Sequence, residues 1–329
     1  MTDKPKRRWY QYSLRSMFVL TTLVAIFFGW YTGEMRKADK RRDAIAAITE
    51  LGGIVEYHDD VNSIVAGEPP RWHSLLRHFH GDERLGNAVY VDLNDWQIED
   101  DALVHLKELT TLQYVGLHGA EITDAGMSIL GRLTELKEIS LGSTDITDRG
   151  IKHLEGLAKL SWLDLSGTDI SDAGMAHLKG LALECLILCD TDITDAGLAN
   201  LNNFARLKYL DLSNTKITSR GLENLKNSTE LEQLGLCNTE TNDEGLSHLK
   251  RLTRLEELYL KNTRVTHAGM AYLKNLKNLR TLELQFTRMS GPGLTNLRGL
   301  TKLEDLPSKV VKNHTNIRRN PLTRQVLMV

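Results

Sequence analysis

The chain has 329 residues, 41% hydrophobic and 26% charged, with six prolines and a formal net charge of −2. That is enough length and apolar content for one or two domains with a real core, which excludes a chain disordered throughout. Three cysteines (Cys185, Cys189, Cys237) cannot form a closed disulfide set, and abundant leucine with only 6% aromatics points to a repetitive core rather than an enzyme built around one pocket.

The near-neutral total hides three zones. Residues 1–42 hold ten Lys/Arg against three Asp/Glu, and residues 303–329 hold five against two. Residues 43–302 therefore carry 26 basic and 38 acidic groups, a net of −12. An acidic body repels a phosphate backbone, so no nucleic-acid ligand is expected.

From Ser16 to Gly33 there are 18 consecutive uncharged residues, SMFVLTTLVAIFFGWYTG. As a helix they span about 27 Å, close to the ~30 Å of bilayer hydrocarbon. Arg7, Arg8 and Arg15 precede the run, and Arg36, Lys37, Lys40, Arg41 and Arg42 follow it. Trp9, Tyr10, Tyr12, Trp30 and Tyr31 stand where interfacial aromatics belong. A cleaved signal peptide and a buried core helix are the competing readings. The exit Gly-Trp-Tyr-Thr-Gly offers no small-x-small site, and cations flank both sides, so an uncleaved single-pass anchor is expected. Lys/Arg counts do not decide its orientation. A short cytoplasmic N-terminus with the body on the extracytoplasmic (periplasmic) side is the commoner outcome, although unpaired cysteines favour a reducing compartment.

Glu34 to Leu51 is rich in Ala, Arg and Lys, places Ala44, Ile45, Ile48 and Leu51 at helical spacing, and ends at Gly52-Gly53. A helix continuing from the membrane is expected, then a short strand at Ile54-Val55-Glu56-Tyr57. Residues 54–87 are expected to cap the first repeat, since an exposed apolar repeat end needs covering. His73, His78 and His80, with His58, Asp59, Asp60 and Asp82 nearby, could supply zinc ligands. No second paired ligand set accompanies them, and Leu75, Leu76 and Phe79 make a buried face that leaves the histidines on the polar side, so no metal is expected.

From Ala88 the chain repeats every 24 residues, with copies starting at Ala88, Leu112, Leu136, Leu160, Leu183, Leu207, Leu231, Leu255 and Leu279, the fourth one residue short. Leu207–Glu230 (LKYLDLSNTKITSRGLENLKNSTE) shows the pattern plainly. The fourth place is apolar in all nine copies, Val91 through Leu282, as strand periodicity requires. Thr at the ninth place suits a bond to the turn backbone. Thr-Asp pairs such as Thr123-Asp124 and Thr147-Asp148 offer a helix N-cap. Gly at the fifteenth place lets backbones approach closely. Each copy thus reads as one strand, one turn and one helix. Strands stack ~4.8 Å apart and helices 8–10 Å apart, so the stack curves with the sheet inside.

The 24-residue repeat resembles the ribonuclease-inhibitor-like and cysteine-containing branches of leucine-rich repeat proteins. Tyr12-Ser13-Leu14-Arg15-Ser16 followed by the apolar run is similar to membrane-anchored leucine-rich repeat proteins of planctomycete bacteria. Together these resemblances cover most of the chain and imply a binding scaffold without a reaction. Eukaryotic relatives often carry an F-box, for which residues 1–87 leave no room beside the anchor and cap. The expected fold is α/β, a right-handed leucine-rich repeat solenoid with a curved parallel sheet inside and helices outside. Its parts are a basic N-terminus (1–15), transmembrane helix (16–33), helical stalk (34–53), cap (54–87), nine repeats (88–302) and a C-terminal cap with basic tail (303–329).

Strand places three, five and seven then line the concave face. They put Tyr90, Tyr114, Trp162, Tyr209 and Tyr259 beside Asp92, Asp164 and Asp211, with Glu184, Glu232, Glu256, Glu257 and Glu283 around them. Large aromatics beside acids on an exposed sheet suit a protein or peptide partner, a basic one above all. The alternatives are aromatics that merely shield the sheet and a structural or self-assembling envelope scaffold. His105, His153, His177 and His248 recur at place eighteen and read as a structural column. The cysteines lie too far apart to bond, Cys185 and Cys189 by roughly 13 Å and Cys189 and Cys237 by roughly 10 Å. No phosphate loop, H-E-x-x-H or G-x-S-x-G occurs, and the carboxylates spread over a sheet instead of converging. No catalytic residue, cofactor or small-molecule substrate is expected.

Overall fold

A computed structural model describes residues 14–57, 88–94, 97–289 and 291–304 of the chain. The histidine-rich stretch and the basic tail beyond Glu304 lie outside the described residues.

Helix α1 (Leu14–Glu50) runs without interruption from the apolar segment into the domain. None of the 18 residues of its apolar window is buried, and Phe18 is 75% exposed, so the reading as a buried core helix fails. The helix ends in a glycine C-cap: Gly52 takes φ +90°, and the Gly53 N–H donates to the Ile48 carbonyl at 2.9 Å. Past the apolar run, the helix does more than bridge. Ala38, Ala44 and Ile48 are buried, and Ile48 joins one core with Leu93 and Leu103 of the first repeat. The end of α1 thus covers part of the first repeat; of residues 54–87, to which the sequence assigns that role, 58–87 lie outside the described residues.

The sheet begins with β1 (Ile54–Tyr57) and β2 (Ala88–Asp92), which pair antiparallel. Eight three-residue strands follow: β3 (Tyr114–Gly116), β4 (Glu138–Ser140), β5 (Trp162–Asp164) and β6 (Cys185–Ile187). The last four are β7 (Tyr209–Asp211), β8 (Gln233–Gly235), β9 (Glu257–Tyr259) and β10 (Thr281–Glu283). All ten form one sheet in chain order, parallel from β2 onward. The fourth-place residues stack in register, Val91 on Val115 through Leu282, every one fully buried. Leucines at place six form a second buried column beside them.

From β3 onward each strand exits through a left-handed residue at place eight: Gly119, Ser143, Gly167, Asp190, Asn214, Asn238, Asn262 and Phe286. Asn and Gly tolerate that conformation; a bulky side chain does not. The asparagines bond along the stack, Asn238 Nδ2 to Asn214 Oδ1 at 2.5 Å and Asn262 Nδ2 to Asn238 Oδ1 at 2.9 Å. Ninth-place threonines bond the turn as expected, for example Thr144 Oγ1 to the Leu141 carbonyl at 2.7 Å.

The opposite side departs from full helices. Some copies carry α-helical turns, such as Asp124–Leu130 and Asp243–Leu249; others, such as Ala102–Glu108 and Gly221–Leu225, are 3₁₀. A 24-residue period leaves too few residues for longer helices, and a 3₁₀ turn is narrower, which lessens the spacing mismatch with the strands. Thr123, Thr147, Ser171 and Thr194 cap these turns with their hydroxyls, as the sequence suggests.

The aspartates after those caps do something the sequence does not reveal. Asp124 reaches into the following copy, where its carboxylate accepts Thr147 N–H (2.8 Å), Thr147 Oγ1–H (2.7 Å) and Gly150 N–H (3.0 Å). Asp148 does the same to Ser171 and Gly174, and Asp100, Asp172, Asp195 and Asp243 bond Thr123, Thr194, Thr218 and Thr266. Where Ser219 replaces the aspartate, Asn242 replaces the threonine, and the pair exchanges two bonds of 2.7 and 2.9 Å. The fifteenth-place glycine is explained here: a Cβ on Gly150 would lie 2.5 Å from Asp124 Oδ1. At six of these glycines what approaches is an aspartate carboxylate; at Gly245 it is the Ser219 hydroxyl, and at Gly293 it is the His267 backbone, as the sequence suggests.

Replacing Asp124 with Ala removes the acceptor of the Thr147 N–H and hydroxyl, while the Gly150 N–H keeps its bond to the Thr147 carbonyl, and should cost about 1–2 kcal/mol, read as a lowered urea midpoint. Phe286→Asn should stabilise by about 1 kcal/mol by relieving a left-handed aromatic, because Phe286 is 73% exposed and its packing loss is small. An unchanged or lowered midpoint would contradict this second expectation.

Candidate binding surface

Places three, five and seven form three columns on the open face of the sheet. The third-place column runs Tyr90, Tyr114, Glu138, Trp162, Cys185, Tyr209, Gln233, Glu257 and Thr281 in strict register. Tyr90, Tyr114, Trp162, Tyr209 and Tyr259 are all half-buried rather than fully exposed. Tyr90 and Tyr114 stack face to face, centroids 4.2 Å apart and planes 7° apart. The Tyr90 hydroxyl donates to Asp92 Oδ2 at 3.2 Å, and the Tyr259 hydroxyl donates to Glu257. Burial and the adjacent Asp211 push the Tyr209 phenol up to about 12. Tyr90, by burial first, and Tyr259, by its bond to Glu257 first, are pushed higher still. These phenols therefore stay protonated and serve as donors.

The aspartates expected to meet a partner have a prior duty. Asp92, Asp164 and Asp211 each use Oδ1 to accept the N–H two residues on, Asn94, Ser166 and Ser213, at 3.0, 2.9 and 2.9 Å. These bonds fix the strand exits. Asp164 is also only 8% exposed, which corrects the expectation of an open acid there. Of the surrounding acids, Glu184 pairs with Lys208 at 2.8 Å and Glu256 with Arg280 at 3.1 Å, each cation coming from the next copy. Such exposed pairs add little stability. They do neutralise acids that the sequence assigns to the face, whose free acidity is smaller than the composition implies.

Place seven, which the sequence reading passed over, carries more polar chemistry. His118 and Ser166 flank Gly142 in that column, and His118 Nδ1 lies 3.9 Å from Asp164 Oδ2. The signal available in the sequence was a glycine at a strand-exit place that otherwise carries side chains. The histidine column at place eighteen falls on the opposite side, within Ala102–Glu108, Lys152–Leu154, Asp172–His177 and Asp243–Leu249, where His177 meets Glu155 at 2.5 Å. Among the described residues, no group of three or more His, Cys, Asp or Glu could hold a metal ion.

A family profile described as Leucine Rich repeat matches residues 157–178 and 207–226. Among solved structures, an internalin (inlF) from Listeria monocytogenes is similar at 25% identity and a TM-score of 0.52, over 64% of this chain and 56% of that one. An internalin C2 from the same organism shares 24% identity at a TM-score of 0.49, over 71% of this chain and 90% of that one. This chain thus spans little more than half, 56%, of the first internalin's length. No curated protein matches it. The repeat matches, the first internalin and the parallel sheet together support a leucine-rich repeat protein with an α/β solenoid fold, one that suggests a protein-interaction module.

The three thiols are free and half-buried on the same face. Burial, with the charges of Asp164 and Glu138 adding, pushes Cys185 up to about 12. Burial and Asp211 push Cys189 up to about 11, and burial raises Cys237. Since only the thiolate is nucleophilic, alkylation by iodoacetamide at pH 8 should run roughly a hundredfold slower at Cys189, and roughly a thousandfold slower at Cys185, than at a free cysteine. Mass spectrometry over a time course checks this; labelling at the free-thiol rate would refute it.

Proposed function

We propose that this chain is a membrane-anchored, non-catalytic recognition module that binds a protein or peptide on the open, concave face of its solenoid. The observation that carries the reading is the set of aromatics on the open face, Tyr90, Tyr114, Trp162 and Tyr209 in the third-place column and Tyr259 in the fifth-place column, with Asp92, Asp164 and Asp211 beside them. Rings already half-packed against their neighbours lose little side-chain entropy when a partner covers them, which is what makes aromatics effective anchors. Their protonated hydroxyls offer donors to a peptide backbone. The face retains Glu138 and Glu283 as acids, which favours a basic segment.

Anchoring is supported by α1. Its apolar stretch is long enough to cross a bilayer, a test that a signal sequence also passes. Two features favour retention: the helix continues unbroken to Glu50, and its final turns are part of the first repeat's packing. Cleavage at the end of the apolar run would cut a continuous helix. We place the solenoid on the extracytoplasmic side because a short cytoplasmic N-terminus is the commoner outcome for a single N-terminal anchor, the Lys/Arg flanks being balanced.

Replacing Tyr114, Trp162 and Tyr209 together with Ala should abolish capture of partners from solubilised membranes while lowering stability by about 2–4 kcal/mol without unfolding the chain, because half-buried side chains contribute only part of a full burial; circular dichroism confirms that the variant is folded. Unchanged capture would overturn the face assignment and favour a scaffold role. For the anchor, Ile26→Lys with Phe27→Lys should release the chain from carbonate-washed membranes, and protease added to intact spheroplasts should degrade the solenoid. A protected solenoid would reverse the orientation.

A further inference from the structure

The direction of α1 decides which side of the solenoid faces the apolar stretch. β1 pairs antiparallel with β2, Ile54 opposite Asp92 and Tyr57 opposite Ala88, so the Gly52-Gly53 turn that feeds it stands at the exit end of the sheet. Ile48 and Leu93, which follows β2, both close on Gly53 there. Eight residues before Ile48, Lys40 Nζ lies 3.9 Å from Glu108 Oε1, at the far end of the outer turn Ala102–Glu108. Helix α1 therefore runs antiparallel to the outer turns. Its apolar stretch projects past the flank on which those turns end and the strands begin, here called the entry flank. From β2 to β10 the strands stack in register, so every copy presents its strand start on that flank. Gly33 lies seven residues before Lys40. That is about 10 Å of helix, against a headgroup layer about 5–7 Å deep on each side of the hydrocarbon.

The entry flank is basic although the body is acidic. It consists of places twenty to twenty-four of each copy and the first two places of the next, and across nine copies it holds 16 Lys/Arg against 8 Asp/Glu. Places eight to fourteen, on the opposite flank, hold 5 against 16. Such a division creates a field of opposite sign on the two sides, which the total charge conceals. Seven of the eight entry-flank acids already face a Lys, Arg or His, as Glu135 faces Lys159 and Glu256 faces Arg280. Cations remain in excess. Place twenty carries Lys107, Lys179, Lys226, Lys250, Lys274 and Arg298, all exposed, and the last four occupy successive copies. Among the described residues, only Lys226 of these six has a carboxylate within 4.0 Å, from Glu223. Packing does not require a cation here, since the same place holds Gly131, Glu155 and Asn202 in other copies. The large apolar side chains that the copies expose, Val104, Tyr272 and Phe286, lie elsewhere, so the flank suits a charged surface and not insertion.

We infer that the entry flank rests on anionic phospholipid headgroups, with Lys250, Arg251, Lys274 and Arg298 forming a second point of attachment at the end of the arc far from α1. The inference rests on the proposed membrane anchor, but not on which side of the bilayer the solenoid occupies. A gap of a few ångströms between flank and headgroups is spanned by lysine side chains, lies within a Debye length of about 8 Å, and leaves no room for an acidic protein instead. The arc then lies on its side, and its aromatic face stands upright, open to a partner approaching along the membrane.

The test uses the full-length protein in nanodiscs of phosphatidylcholine alone or of phosphatidylcholine and phosphatidylglycerol in equal parts, at about 0.15 M salt, which screens distant charges. Sulfosuccinimidyl acetate, which does not cross the bilayer, labels exposed lysines, and mass spectrometry reads the rate at each. Lys179, Lys250 and Lys274 should acetylate about fivefold more slowly in the anionic discs, the scale of one cation held at an anionic surface. Lys216 on the opposite flank and Lys261 on the open face should change less than about twofold, being more than a Debye length away. Equal rates in the two discs, or equal slowing of Lys216 and Lys261, would overturn the inference. Replacing Lys250, Arg251, Lys274 and Arg298 together with Gln alters only exposed side chains, so the variant should fold, as circular dichroism checks. Lys277 and Lys302 on the same flank should then label at one rate in both discs; slowing that persists would refute the role of the four cations. The anchor fails separately: a chain that washes off both discs refutes the anchor and this inference with it. A chain retained in the discs with lysines labelled equally refutes the flank contact alone.

Discussion

A carboxylate that crosses from one copy to the next is the interaction on which this molecule is built. Asp124, Asp148 and their counterparts each accept two or three hydrogen bonds from the turn that follows, including the Thr147 and Ser171 N–H groups at a helix start, for which they are the acceptors. Leucine columns supply most of the stabilisation, but they are non-directional and would tolerate a slip between copies. The aspartates do not tolerate it. They fix each turn against its predecessor, and they require glycine at the third residue of the turn because a side chain would fill the carboxylate's place.

Rigid stacking has a direct consequence on the opposite side. With strands of only three residues, side chains at places three, five and seven are positioned by the stack rather than by long ladders. Aromatics therefore meet their neighbours at fixed spacing, as Tyr90 and Tyr114 do. Repeat proteins gain recognition surfaces in this way, through variation at outward places on an invariant frame. The frame here absorbs some of the acids itself: Asp92, Asp164 and Asp211 secure strand exits, and Glu184 and Glu256 join neighbouring copies through Lys208 and Arg280.

The end of α1 ties the frame to its surroundings. Ile48 and Ala44 complete the first repeat's core, and β1 covers the strand edge of β2 in antiparallel fashion. An apolar stack would otherwise present an open end and an unpaired edge, both liabilities for a soluble domain. Because one unbroken helix carries both the exposed apolar stretch and these buried contacts, the solenoid is held at a fixed distance from that stretch instead of swinging on a loose linker.

Much of this was legible in the order of residues alone. The 24-residue period, the buried fourth-place column, the threonine caps and ninth-place bonds, the helix through 34–51 and the strand at 54–57 all follow from patterns local to one copy, where sequence spacing and spatial spacing coincide. The aromatic row could likewise be placed on the open face, because alternation along a strand fixes which way each side chain points. Only the stacked structure decided the rest: the bonds of Asp124 to a threonine 23 residues on, the left-handed exit residues, the short 3₁₀ turns, the burial of Asp164, and the meeting of His118, Asp164 and Ser166 over Gly142. These depend on the lateral distance and rotation between copies, and a single copy's sequence carries no measure of either.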